Sequence, residues 1–221
     1  LPDSAAPPHP QFTGERVVPG QVNDDLWAEH FARYAFARRF AEGRRVLDAG
    51  CGTGYGAAEL TLDAKSVTGV DLFPDAISQA RAAYPLSNLQ FLAGSCTALP
   101  FAGASFDLIT AFEVIEHLKD YRSLIAECAR VLQPGGLFLV STPNRGYYAE
   151  TREQVGPNPY HEHEFEASEF VKELRAAFPR VTLLLQNRVE AIAFHPPKSL
   201  WPADARVDSG GGQASDAHFF L

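Results

Sequence analysis

From residue 44 onward, short apolar runs bounded by turn residues alternate with longer stretches whose apolar residues recur at helical spacing. The first pattern predicts buried strands and the second amphipathic helices. Strands are expected at residues 46–49, 66–71, 89–93, 106–112, 136–142 and 180–186, with 217–221 as a closing edge strand. Helices are expected at 55–62, 75–84, 120–132 and 166–178. Pro74 suits a helix's first turn, and Pro134-Gly135-Gly136 stops the helix before it. Nearer the amino end, Asn23 or Asp24 caps a helix on which Leu26, Trp27, Phe31, Tyr34, Ala35 and Phe36 recur at helical spacing, with Glu29, His30, Arg33, Arg38 and Arg39 on other faces. Strands joined by helical crossovers imply a doubly wound α/β fold. Its sheet is seven-stranded and mostly parallel, has helices on both faces, and binds ligands at the carboxyl ends of its strands.

Residues 1–22 are expected to be a flexible lead-in, and 23–221 a single domain with a substrate-lid insert around 145–165. Residues 187–215, with Pro196-Pro197 and Gly210-Gly211-Gly212, are expected to be loop. With 221 residues and 46% hydrophobic content, one sizeable core is the natural expectation. A net charge of −8 argues against a nucleic-acid or membrane-surface role. Cys51, Cys96 and Cys128 lack metal-ligand spacing and are expected as reduced thiols of a cytoplasmic protein. No apolar stretch approaches the ~20 residues that a membrane-spanning helix needs. The chain contains no methionine, so it is expected to be trimmed or incomplete.

The most informative stretch is 46–56, where Val46-Leu47-Asp48-Ala49 runs into Gly50, Gly52 and Gly54. A buried strand, a tight turn and a helix start follow each other there, and the free N–H groups of the helix start suit a polar ligand. Asp71 ends the next strand at the distance expected of an acid that holds ribose hydroxyls. Both a nicotinamide dinucleotide and S-adenosylmethionine carry such a ribose. Asp48 before the loop and Glu113 after the fourth strand place negative charge where a pyrophosphate would be repelled and a sulfonium attracted.

Together with 46–56, the segments Gly69-Val70-Asp71-Leu72, Leu99-Pro100-Phe101, Ser105-Phe106-Asp107, Glu113-Val114-Ile115-Glu116-His117-Leu118 and Leu132-Gln133-Pro134-Gly135-Gly136 occur in the order seen in class I S-adenosylmethionine-dependent methyltransferases. The chain resembles that family over residues 44–144. The resemblance implies the Rossmann-like methyltransferase fold, with S-adenosylmethionine as cofactor and S-adenosylhomocysteine as product. It further implies that Gly50, Cys51, Gly52 and Gly54 wrap the methionine and ribose, with Asp48, Phe112 and Glu113 beside them. By the same resemblance Asp71 holds the ribose, Leu72 packs on the adenine face, and Ser95 and Cys96 meet the adenine edge. The 13–20 segment and the helix carrying Glu29, His30, Arg33 and Tyr34 look similar to bacterial methyltransferases of sugar and cell-surface polysaccharide pathways. A sharper expectation is that Arg16 or Tyr34 closes over the ligand.

Methyl transfer requires placing the acceptor and removing its proton. Glu113, Glu116 and His117 would share one face if this stretch is helical. The motif can be structural, can provide His117 as general base with Glu116 beside it, or can hold a divalent metal through Glu113, Glu116, His117 and a later histidine. No metal ligand is assigned. The Glu-x-x-Glu-His signature also resembles metal-dependent O-methyltransferases, one type acting on quinone-precursor catechols and another on small RNAs. His161-Glu162-His163 in the insert would place both rings on one face if extended. The leading expectation is methyl transfer to a hydroxyl of a small-molecule acceptor, without nucleic-acid or membrane partners. An NAD(P)-dependent oxidoreductase and a non-catalytic S-adenosylmethionine-binding module are the alternatives.

Overall fold

Neighbouring residues of a strand point to opposite faces of a sheet, and here both faces are covered. The computed structural model describes residues 17–148, 153, 156–187 and 219–221. Its strands are β1 (Arg45–Ala49), β2 (Ser66–Asp71), β3 (Leu89–Ala93), β4 (Phe106–Phe112), β5 (Leu132–Pro143), β6 (Leu185–Gln186) and β7 (Phe219–Phe220). Its helices are α1 (Asp24–Arg38), α2 (Tyr55–Leu60), α3 (Pro74–Ala83), α4 (Tyr121–Val131) and, after the insert, Ala167–Arg175, here α5. Val46 and Leu108 pack with residues of α1, α2 and α3 in one core. Their strand neighbours Leu47 and Ile109 pack with α4 and α5 in the other. This alternation confirms the doubly wound expectation.

The sheet order is β3-β2-β1-β4-β5-β7-β6. The first four pairings are parallel, while β7 runs antiparallel between β5 and β6. The closing strand is therefore interior rather than an edge. The sixth strand is also shorter than expected, pairing through Leu185 and Gln186 with Phe220 and Phe219 among the described residues. β5 begins at Leu132, earlier than expected, and a register shift between Phe106 and Leu108 absorbs the irregularity at its start. Asn23 caps α1, its side-chain oxygen accepting the Leu26 N–H at 2.8 Å.

Among the described residues no helix is long and apolar enough to cross a membrane. Arg16, most of the lead-in, residues 149–152 and 154–155 of the insert, and nearly all of the 187–215 loop lie outside the described residues.

Candidate active site

The carboxyl ends of β1 and β2 build the first half of the site. Gly50 leaves β1 at φ +80°, and a Cβ there would lie 2.3 Å from Val114 Cγ2. The position therefore requires glycine for both backbone and packing. The Gly50 and Cys51 N–H groups donate to the Val70 carbonyl at 2.7 and 3.0 Å. Asp71 clasps the loop, since its carboxylate accepts from the Gly52 N–H at 2.8 Å and the Phe73 N–H at 3.0 Å. Directly after it, Leu72 and Phe73 are 62% and 50% exposed. Large apolar side chains standing out beside a buried carboxylate suit a flat ring next to a ribose. Ser95 is turned to Thr97, whose N–H reaches its oxygen at 3.1 Å. Cys51 and Cys96 are buried, and burial pushes the Cys96 thiol up to about 12.

Asp48 sits differently from the expectation. It is fully buried beneath the loop, accepting from the Thr110 hydroxyl at 2.8 Å and the Tyr34 hydroxyl at 3.3 Å. Burial pushes its carboxyl up to about 7, partly offset by those two hydrogen bonds. Tyr34 does not close over a ligand either. Its ring packs so tightly on α2 that a Cβ at Gly56 would meet it at 2.0 Å, and Phe112 lies edge-on to it at 5.0 Å. Both residues support the loop from below.

Arg33 is the residue that sequence reasoning passed over. Only 1% exposed, it lies with its guanidinium 4.2 Å over the Phe219 ring and 3.6 Å from Glu113 Oε1. None of its side-chain nitrogens has a hydrogen-bond partner among the described residues. Buried donors are ordinarily satisfied, and here Glu113 offers charge without a hydrogen bond. The available hint was its spacing, since Ala37, four residues on, belongs to the buried stripe of α1.

The second half of the site follows β4. Glu113 takes φ +56°, an uncommon conformation for a residue other than glycine. It is held there by Ser141, whose hydroxyl donates to Oε1 at 2.7 Å. A single 3-10 turn, Ile115–His117, comes next, so the helical condition for Glu113, Glu116 and His117 to share one face is not met. Glu116 is 1% exposed, and neither of its oxygens has a hydrogen-bond partner among the described residues. Burial, and then the Glu113 charge, push its carboxyl well above the ordinary range. His117 Nδ1 lies 3.0 Å from the Tyr160 carbonyl, and Nε2 lies 4.0 Å from Glu116 Oε1.

The insert docks onto this turn, with the Glu162 and His163 N–H groups donating to the Glu116 carbonyl at 2.8 and 3.0 Å. His161 and His163 take separate environments rather than sharing a face, because the docked loop is not a strand. His161 stands edge-on to His117 at 5.0 Å, whereas His163 bonds Glu169 at 2.9 Å and packs on Tyr121 and Phe165.

Glu116, His117 and His161 bring ligand-type atoms within 4.8 Å of one another. As arranged, an ion could take His161 only by displacing the Asn158 amide, because His161 Nδ1 bonds Glu164 at 2.9 Å and Nε2 faces that amide at 3.0 Å. Glu113, the other expected ligand, is held by Ser141.

Residues 47–140 match the family model described as "Methyltransferase domain". A probable S-adenosylmethionine-dependent methyltransferase of Mycolicibacterium smegmatis is 40% identical over 177 residues, covering 80% of this chain and 68% of that protein. A ubiquinone biosynthesis O-methyltransferase of a Chelativorans species is 31% identical, covering 85% of this chain and 76% of that protein. The crystal structure of the YcgJ protein from Bacillus is similar with a TM-score of 0.59 at 27% identity, over 67% of this chain and 68% of that one.

Proposed function

The chain belongs to the S-adenosylmethionine-dependent methyltransferases, and from that premise we propose that it methylates a hydroxyl oxygen of a small-molecule acceptor, activated at His117. The dinucleotide alternative falls with that membership. When bound, S-adenosylmethionine supplies a methyl group on a positively charged sulfur. In this reading Asp71 holds the ribose hydroxyls, Leu72 and Phe73 flank the adenine, and the backbone of 50–54 lines the methionine and ribose. Arg33 receives the methionine carboxylate, an anion suited to a guanidinium that has no hydrogen-bond partner among the described residues. Glu113, 3.6 Å away, supplies the opposite charge for the ammonium and sulfonium end.

The observation that carries the acceptor half is the state of His117. A carbonyl oxygen can only accept, so the hydrogen bond from Nδ1 to Tyr160 places the ring proton on Nδ1. In the neutral ring Nε2 then keeps the lone pair that takes a hydroxyl proton. Glu116 Oε1 lies 4.0 Å from the same nitrogen. The insert, with Tyr147 and Tyr160 exposed, walls this side within a single domain. The net charge of −8 supports a small molecule over nucleic acid. Three unpaired, buried cysteines support a cytoplasmic setting.

Incubation with S-adenosylmethionine carrying a ¹³C methyl group and a panel of hydroxylated sugars and phenols tests this reading. A new methyl ether signal is expected in the product spectrum. Label appearing only on nitrogen or carbon in amine-bearing or enolisable acceptors would reverse it.

A further inference from the structure

We propose that Asn158 is a positioning residue that sets the proton tautomer of His117 through the docked insert. The inference rests on the reading of His117 as the proton acceptor, and concerns how the chain keeps it ready. Donors and acceptors in this cluster can be assigned in only one way. The Tyr160 N–H donates to Asn158 Oδ1 at 3.0 Å, so the other end of the side chain is the amide Nδ2. That amide is a donor and lies 3.0 Å from His161 Nε2, which must therefore be the bare nitrogen. His161 Nδ1 then carries the proton and donates to Glu164 Oε1 at 2.9 Å. His161 is locked neutral, in agreement with the burial that lowers its proton affinity.

The same Asn158 side chain fixes the peptide of Tyr160, and the Tyr160 carbonyl is the group that meets His117 Nδ1 at 3.0 Å. The Asn158 carbonyl further accepts the His161 N–H at 3.1 Å, closing the turn over 158–161. Two N–H groups from Glu162 and His163 anchor the loop to the Glu116 carbonyl, one residue before His117. A bend set by one asparagine thus places an acceptor opposite Nδ1 and a neutral, proton-locked ring beside His117. Without it His117 is free to carry its proton on Nε2, where it cannot accept another.

The test is nitrogen NMR of the full chain labelled with ¹⁵N-histidine and saturated with S-adenosylhomocysteine. Resonances are assigned by His117→Gln and His161→Gln controls. The wild type is expected to show His117 protonated on Nδ1 at neutral pH. In Asn158→Ala, the Nε2-protonated form should become a major species, and turnover should fall about tenfold or more without change in S-adenosylhomocysteine affinity. Asn158→Asp keeps the acceptor for the Tyr160 N–H, so His117 should keep its tautomer while His161 gains a proton.

A His117 tautomer that is the same in wild type and Asn158→Ala overturns the proposal, as does a wild type already protonated on Nε2. So does one Co²⁺ bound per chain with His117 Nε2 and His161 Nε2 as ligands, since that displaces the Asn158 amide. A tautomer that shifts while turnover holds leaves the positioning role standing and removes His117 as the base. The two readings therefore fail separately.

Discussion

The loop after β1 and the turn after β4 each end a parallel strand, yet different physics builds them. Around the first, buried side chains drawn in from several elements do the work. Glycines at 50 and 56 admit Val114 and Tyr34, Asp71 holds the Gly52 N–H, and the whole loop sits on buried side chains. The second takes its shape from a segment more than forty residues away, whose backbone N–H groups land on the Glu116 carbonyl. In the proposed reading the first is the cofactor half, a packed core, and the docked insert with His117 is the acceptor half. Alterations to the first should act on stability and cofactor affinity together, and those to the docked insert and His117 mainly on turnover.

The largest effect that sharpens this contrast is pH-linked. Asp48 rises from an ordinary carboxylate value of 3.8 to about 7 on folding. Below about pH 4 it is protonated in both states. Between about 4 and 7 only the unfolded chain ionises, so stability falls as pH rises and levels off above that window. The shift corresponds to about 4 kcal/mol. Denaturant unfolding of the cofactor-free chain across this window should show the decline in wild type and a flatter profile in Asp48→Asn. Parallel profiles would mean that Asp48 does not carry it.

Next comes Gly50→Ala, which forces a side chain into Val114 at a positive φ and should cost about 3 kcal/mol of stability. Thermal unfolding measures it. Adding Val114→Ala should recover part of the loss, because the contact is shared. Loss of the α1 cap in Asn23→Ala should cost about 1 kcal/mol, seen as a lower unfolding midpoint in urea. Glu169→Gln, which removes the negative charge beside His163 on the docked side, should cost only ~0.5 kcal/mol, since the pair is partly exposed. A loss as large as that of Gly50→Ala would erase the distinction between the halves.

Legibility in the sequence follows the same division. β2, β3 and β4 begin and end where apolar runs meet turn residues, because β2 and β4 are buried on both faces, β3 packs Phe91 into the core, and each period is local. Asp71 and Leu72 could be placed for the same reason, being fixed to the end of a strand. β6 and β7 could not be bounded, since their length depends on pairing with each other across a long stretch of chain. The stretch 113–117 reads as helical by spacing alone. Its first residue instead adopts a left-handed conformation held by Ser141 of another strand, which no local pattern encodes. The apolar residues of α1 leave Arg33 on another face, and only Phe219 and Glu113, from distant parts of the chain, enclose it. Asp48 was placed beside the ligand by sequence adjacency, whereas Tyr34 and Thr110 draw it underneath.

The account stands most directly on His117 acting after the cofactor is bound and not in binding it. Once an acceptor is in hand, turnover and S-adenosylhomocysteine affinity should be measured side by side in wild type and His117→Ala. Turnover is predicted to fall by about 10²–10⁴, with the dissociation constant unchanged to about threefold. Turnover retained at the wild-type rate, or a collapse of cofactor affinity in its place, would contradict it.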